Sequence, residues 1–504
     1  MNRLSFKTLQ HQGVDYHALR NLPEKVLQFG TGVLLRALPD YFIDQANKKG
    51  IFNGRVVVVK STDQGNAGLF DQQDHLYTLC LRGIEEGEII EENVICTAIS
   101  RVLSASEQWN DIIKCASNPD MEIIISNTTE AGIQLLQDDI SAGVPQSFPG
   151  KVLAFLYERY KVFKGDPAMG MIIVPAELIE NNGRKLEAIL HELAHLNNLE
   201  TEFIDWLENS NVCCNSLVDR IVPGSPKGTA GEEIIRQLPY TDDLCVISEP
   251  FALWAIEGDE HVRSKLTFAD AHPGVVIEPD IEKFKELKLR LLNGTHSLTC
   301  GLALLSGFKT VREAMEDPHF FTFVRDLMLS EIAVALPPGI DQKAAAKFGL
   351  QVIDRFKNPY IDHQWLSISV NYTQKMQNRV VPLLLRYYDR YGTAPKHMAT
   401  GIAACIALMK TTQKTGDQYY GNADNERYLI QDPAAQVFYN LSDKDHSTEQ
   451  YVKKVLENEF IWGQNLNKLN RFADEIVLYL DLIESKGVYY LISGIKDKPL
   501  LVTE

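Results

Sequence analysis

Short apolar runs alternate with helical stretches through the first half of the chain, and longer amphipathic stretches fill the second. Val26-Leu27-Gln28-Phe29 reads as a strand running into Gly30-Thr31-Gly32. A helix is predicted over about residues 33–48, with a kink at Pro39. Val56-Val57-Val58-Val59 is apolar throughout, as a parallel strand covered on both faces should be. Residues 122–126, 170–175 and 244–248 give further strands, and residues 84–94, with Glu85-Glu86-Gly87 near their start, read as an inserted hairpin. Strands alternating with helices in this way predict a wound α/β domain with a mostly parallel sheet.

Beyond about Pro279 the periodicity changes to that of helices. Amphipathic stretches cover residues 282–306, 310–316, 320–335, 340–355, 368–388, 398–409 and 451–484, several of them separated by Pro or Gly. The expected organisation is an α/β domain over residues 1–280 followed by an all-α domain over residues 281–504.

Composition narrows the function classes. At 504 residues, 45% hydrophobic and 23% charged, the chain is an ordinary globular protein with room for a large core. A net charge of −17 without a long basic block argues against nucleic acid and against an anionic membrane surface as partners. No apolar run approaches the roughly 20 residues of a membrane span. The eight cysteines form no C-x-x-C pair, which argues against a zinc knuckle or a disulfide scaffold. The cytoplasm is the expected location, and monomer and small homo-oligomer both stay open.

The chemistry concentrates in two places. Gly30-x-Gly32 between the first strand and a helix is the arrangement that receives a pyrophosphate, because glycines let the backbone approach and the helix start offers free N–H groups. Leu35 takes the third glycine position of the full fingerprint, and Arg36 stands one turn in, within reach of a phosphate. The second strand should end in the residue that reads the adenosine ribose. Asp63 favours NAD there, while Lys60 and Ser61 keep NADP open.

The second place is Lys288-Leu-Arg-Leu-Leu-Asn293-Gly-Thr-His296. At about 100° per residue, Lys288, His296 and Asn293 fall at roughly 0°, 80° and 140°, away from a leucine stripe near roughly 280°. A desolvated lysine can exchange a proton near neutrality, and an amide with an imidazole can hold a substrate oxygen. A third pattern, His191-Glu192-Leu193-Ala194-His195, matches the zinc-protease helix. The apolar face through Leu186, Ile189, Leu190 and Leu193 turns both histidines to the solvated side, so a metal site is not expected.

Taken together, these residues resemble the mannitol dehydrogenase family of polyol-type long-chain dehydrogenases. The resemblance is carried by residues 29–37 (FGTGVLLRA), 126–132 (SNTTEAG) and 218–223 (VDRIVP), by the Lys288/Asn293/His296 motif, and by Asn358-Pro359 followed by Lys375. It implies a Rossmann-like domain, a helical domain and a zinc-independent active site between them. It further implies Phe29, Gly30, Gly32, Arg36, Asp63, Asn127 and Glu130 as the NAD-binding set, with Lys288, Asn293 and His296 as the catalytic set. Two departures point away from neutral polyols. Leu178 stands where mannitol-type members place a substrate-holding amide, and Ser367 where they place an arginine. Residues 361–375 look instead like the hexuronate branch. For a sugar-acid carboxylate the expected cations are Lys375 and Arg379, one turn apart, with His363 assisting.

Overall fold

β-Branched and aliphatic runs build a six-stranded sheet. Its strands are β1 (Glu24–Phe29), β2 (Arg55–Lys60), β3 (Ile99–Ser104), β4 (Ile123–Ser126), β5 (Ile172–Pro175) and β6 (Val212–Cys213). They lie in the order β3-β2-β1-β4-β5-β6 with every neighbouring pair parallel. Both faces are buried, which explains the absence of polar alternation in these runs. Val26, Val56, Val58, Ile123, Ile125 and Val174 enter the core on one face. Leu27, Phe29, Val57, Val59, Ile124 and Ile173 enter the core on the other. The computed structural model describes residues 2–13, 16–61, 68–128, 132–411, 413–423, 426–442 and 447–494.

Contacts divide the chain into two units, Met1–Gly83 with Ile89–Glu282, and Ile84–Glu88 with Lys283–Glu504. In the first unit the expected helix over residues 33–48 is two helices, Val33–Ala37 and Pro39–Lys48. Pro39 begins the second helix instead of kinking a continuous one, because the residue before a proline is driven out of helical geometry. Leu38 shows it at φ −131°, ψ −81°. The hairpin forms from Tyr77–Glu85 and Glu88–Cys96. Glu86 and Gly87 turn it with φ of 52° and 82°, the left-handed pair that a two-residue turn needs. Val246–Ser248 is a strand but not part of the parallel sheet; it pairs with Leu79–Leu81 of the hairpin.

The second unit is helical, with one addition to the all-α expectation. Gln413–Thr415, Gln418–Ala423 and Glu426–Leu429 make a small antiparallel sheet. Elsewhere in the unit, helix Thr295–Leu305 packs closely on helix Lys396–Met409. A Cβ on Gly301 would lie 2.7 Å from the Ala404 backbone, and one on Gly401 would lie 2.5 Å from the Leu298 carbonyl oxygen. The two glycines therefore allow backbone-to-backbone approach, and any larger residue there would push the helices apart. Residues 368–388 and 451–484 are broken where single-helix stretches were expected. Asn371 at φ 53° opens Tyr372–Arg379, and Arg471 at φ 58° opens Phe472–Lys486. No helix among the described residues is long and apolar enough to cross a membrane.

Candidate active site

In the first unit the strand order reverses between β1 and β4, where open α/β sheets leave a crevice beyond the carboxyl ends of the strands. Phe29 ends β1 fully buried, and the chain turns at Gly30 with φ +124°. Gly30 N–H donates to the Val59 carbonyl at 3.0 Å. A Cβ at Gly30 would lie 2.8 Å from Leu35 Cδ1 and 3.1 Å from the Asn127 carbonyl oxygen. Only glycine fits this turn. Leu35, in the place of the third glycine, packs its side chain beside Gly30. Gly32 has ordinary dihedrals and open space where a side chain would sit, which leaves its backbone approachable.

Across the crevice, Asn127 N–H donates to the Phe29 carbonyl at 3.3 Å, and its amide Nδ2 donates to the Ala176 carbonyl at 2.7 Å. Glu177 holds the same loop from below. Its buried carboxylate accepts from Thr128 N–H and Thr128 Oγ1, both at 2.9 Å, and from Ser126 Oγ at 3.1 Å. Nothing in the sequence pattern gave Glu177 a role; only the fold shows that it ties the end of β5 to the end of β4.

Arg36 departs from expectation. Its side chain is buried, with the guanidinium donating to the Leu244 carbonyl and lying 5.5 Å over the Tyr77 ring and 5.8 Å over the Phe70 ring. Burial lowers its pKa. One turn into a helix the side chain points into the core, where its guanidinium is engaged by Leu244 and the two rings. Asp63 and Glu130 lie outside the described residues. Leu178, in the place of the substrate-holding amide, is 63% exposed.

In the second unit, Lys288 begins a π-helical stretch, Lys288–Gly294, which passes directly into helix Thr295–Leu305. Bonding from i to i+5 turns less than 100° per residue, so a regular wheel does not place Lys288 relative to His296. Lys288 and Asn293 are half-buried. The Asn293 carbonyl accepts from Ser297 Oγ at 3.0 Å and from Arg379 Nη1 at 3.5 Å.

His296 is the focus of this unit. Its ring stacks on Phe356 with centroids 4.2 Å apart and planes 13° apart. The rings of His363 and Trp365 meet it edge-on at 5.1 and 6.0 Å. Its Nε2 is buried with no hydrogen-bond partner. Burial, then the charges of His363, Arg355, Arg379 and Lys375, hold its pKa well below the usual imidazole value. The His363 pKa is lowered by burial and by Lys375. Lys375 is lowered by burial and by Arg379, and Arg379 by burial. Lys375 Nζ donates to the Ile368 carbonyl at 2.9 Å, and Arg379 Nη1 to Ser297 Oγ at 3.3 Å. The fold therefore gathers Asn293, His296, His363, Lys375 and Arg379 into one neighbourhood. It adds Arg355 and Phe356 from the end of helix Gln342–Phe356, which amphipathic spacing marks only as part of a helix. Ser367 is exposed.

The histidines of the zinc-protease pattern sit on helix Asn182–Leu196, His191 half-buried and His195 exposed, with Leu186, Ile189, Leu190 and Leu193 on the buried face. Among the described residues no three metal-ligating side chains converge.

The mannitol dehydrogenase Rossmann domain matches residues 24–269, and the mannitol dehydrogenase C-terminal domain matches residues 280–483. The chain belongs to the mannitol dehydrogenase family. It is thus an oxidoreductase of that family. It is 39% identical to the altronate oxidoreductase of Bacillus subtilis (strain 168) over 477 residues, 94% of this chain and 95% of that one. The altronate oxidoreductase of Halalkalibacterium halodurans is 35% identical over 506 residues, 98% of each chain. Among solved structures, D-sorbitol dehydrogenase in substrate-free form superposes with a TM-score of 0.78 at 19% identity, over 97% of this chain and 100% of that one. The Pseudomonas fluorescens mannitol 2-dehydrogenase ternary complex with NAD and D-mannitol gives 0.65 at 22% identity, over 99% and 100%. At those identities the two structures share the fold.

Proposed function

We propose that this enzyme is an NAD-dependent altronate oxidoreductase, or tagaturonate reductase, which interconverts D-altronate plus NAD⁺ with D-tagaturonate plus NADH and a proton. The observation that carries the choice of a sugar acid is the placement of Lys375 and Arg379 beside an imidazole that burial and charge keep neutral. A carboxylate matches cations drawn partly out of water better than an uncharged polyol does. Near-full-length similarity to altronate oxidoreductases supports the same choice.

The residues present fit a dinucleotide. Gly30 keeps open a cradle that a single Cβ would fill, and Gly32 leaves its backbone accessible. Phe29, Gly30, Gly32 and Asn127 would line the cofactor site, with NAD, when bound, supplying or taking the hydride. In oxidation, Lys288 accepts the proton of the substrate hydroxyl; in reduction, it returns that proton to the forming alkoxide. The Asn293 side-chain amide donates to the same oxygen, where negative charge develops. His296 turns its unpartnered Nε2 toward a substrate hydroxyl. Lys375 and Arg379, with His363 assisting, hold the carboxylate.

The test is NADH oxidation with tagaturonate, fructuronate and fructose in parallel, repeated with NADPH. Rapid turnover of tagaturonate with NADH is expected. Preference for fructuronate would move the enzyme to the epimeric acid, and preference for fructose would return it to the polyol branch. Faster turnover with NADPH would overturn the cofactor assignment.

A further inference from the structure

We propose that Tyr372 is a positioning residue: its hydroxyl, seated on one rung of the helix that carries His296, fixes that helix against the one that carries Lys375 and Arg379. The inference rests on the reading above that these groups hold substrate. The Tyr372 side chain is fully buried. Its hydroxyl donates to the Ser297 carbonyl at 2.7 Å and accepts from Gly301 N–H at 3.0 Å. Ser297 and Gly301 are four residues apart, so the phenol sits on both ends of a single helical rung, where an inserted group sets the local bend. Ser297 directly follows His296. Tyr372 is the first residue of helix Tyr372–Arg379, with Lys375 and Arg379 one and two turns further along.

The rest of that helix is fastened so that the phenol can act as a fixed stop. At its start, Asn371 N–H donates to the Gln431 carbonyl at 2.9 Å. Thr373 N–H and Oγ1 donate to the Asp432 carboxylate at 2.8 and 2.7 Å. At its far end, Arg290 Nη1 donates to the Asn378 and Arg379 carbonyls at 2.6 and 3.0 Å. Arg379 in turn donates to Ser297 Oγ at 3.3 Å. Ser297 thus takes part in both contacts, through its carbonyl with Tyr372 and its hydroxyl with Arg379. A helix held at both ends transmits any shift at Tyr372 into the separation between His296 and the two cations. Misplacement of about 1 Å in such an arrangement can cost on the order of 10²-fold in rate.

Tyr372→Phe keeps the ring and removes the hydroxyl. The expected result is a KM for tagaturonate raised about tenfold, a lowered kcat, and a KM for NADH within about twofold of wild type. Backbone amides of residues 297–305 should exchange with deuterium faster than in wild type. A variant with wild-type sugar-acid kinetics and unchanged exchange overturns the proposal, as does an equal loss for both substrates, which would mark a general structural role. 3-Fluorotyrosine at position 372 is the second variant, since it preserves the packing. Fluorine makes the phenol oxygen a poorer acceptor, so Gly301 amide exchange should rise and KM for tagaturonate should rise by less than in Tyr372→Phe; an unchanged exchange rate overturns the proposal. Should the wild-type enzyme reduce no hexuronate, the functional reading fails by itself, and the exchange measurements still decide whether Tyr372 pins the helix.

Discussion

The two units build their candidate binding surfaces from different material. Beyond β1 and β4 the surface is backbone, formed by the Gly30 turn and the Asn127-Thr128 loop, and the side chains nearby are spent on holding that backbone in place. Arg36 donates to Leu244, Asn127 to Ala176, and Glu177 accepts from Ser126 and Thr128. In the helical unit the surface is side chain. His296, His363 and the pair Lys375 and Arg379 come from three separate segments, and His296 keeps a buried nitrogen with no partner. A dinucleotide pyrophosphate presents the same oxygens to every enzyme that binds it, and main-chain N–H groups suffice for it. A particular sugar acid must be told from its epimers, which needs side chains with unsatisfied valences aimed at it. Asn127 and Glu177 spend their side-chain polar groups on the ends of β4 and β5, whereas His296 keeps its Nε2 for a partner the protein itself does not supply.

Substitutions in each unit should therefore break different kinetic constants. The largest effect is expected from Lys288→Ala, which should lower kcat by about 10²–10⁴-fold with the NADH dissociation constant unchanged. Steady-state rates and a fluorescence titration with NADH measure the two; parallel loss of cofactor affinity would make the lysine structural and blur the contrast. Gly30→Ala places a Cβ against Leu35 and Asn127 at a φ that other residues adopt at a cost of about 1–3 kcal/mol. KM for NADH should rise about tenfold or more, with KM for the sugar acid little changed. Glu177→Gln replaces an acceptor of three hydrogen bonds by a group that must turn donors toward one of them. Calorimetry should show a loss of about 1–3 kcal/mol in stability, accompanied by weaker NADH binding as the Thr128 loop loosens.

The smallest effect concerns pH. The pKa of His296 is depressed in the folded state, so the unfolded chain takes up the proton first as pH falls below about 6.5. That imidazole then withdraws stability by at most about 1.4 kcal/mol per pH unit. Denaturant titrations of His296→Gln should show a shallower loss between about pH 6.5 and 5 than wild type. His363, and His272 with its pKa lowered to about 4, keep the remaining slope in the same direction. An unaltered slope would mean that the His296 environment is not as dry as its neighbours make it.

Much of this was legible along the chain because it depends on local pattern. Unbroken valine and isoleucine runs announced a sheet covered on both faces, and Gly30-x-Gly32 after the first of them announced the turn. Lys288, Asn293 and His296 stood out by residue type and spacing. Breaks within helices were harder to read. Pro39 signals a start as readily as a kink, and the left-handed Asn371 and Arg471 carry no local demand that forbids a helix through them.

What the sequence alone determined is the class of fold, the glycine turn and the chemistry available, since each follows from residue type and periodicity. Tertiary structure alone decided which side chains are consumed and which remain available. Arg36 looked free to meet a phosphate until packing turned it toward Leu244, and Glu177 had no role until the ends of β4 and β5 were side by side. Regular spacing put Lys288, Asn293 and His296 on one helix face, but the π-helical turn sets their angles, because a widened turn answers to the groups packed against it. Lys375 and Arg379 were visible as cations one turn apart. That they surround His296, with Tyr372 wedged on the rung beside it, depends on contacts about 70 to 80 residues apart along the chain, a separation at which periodicity carries no information.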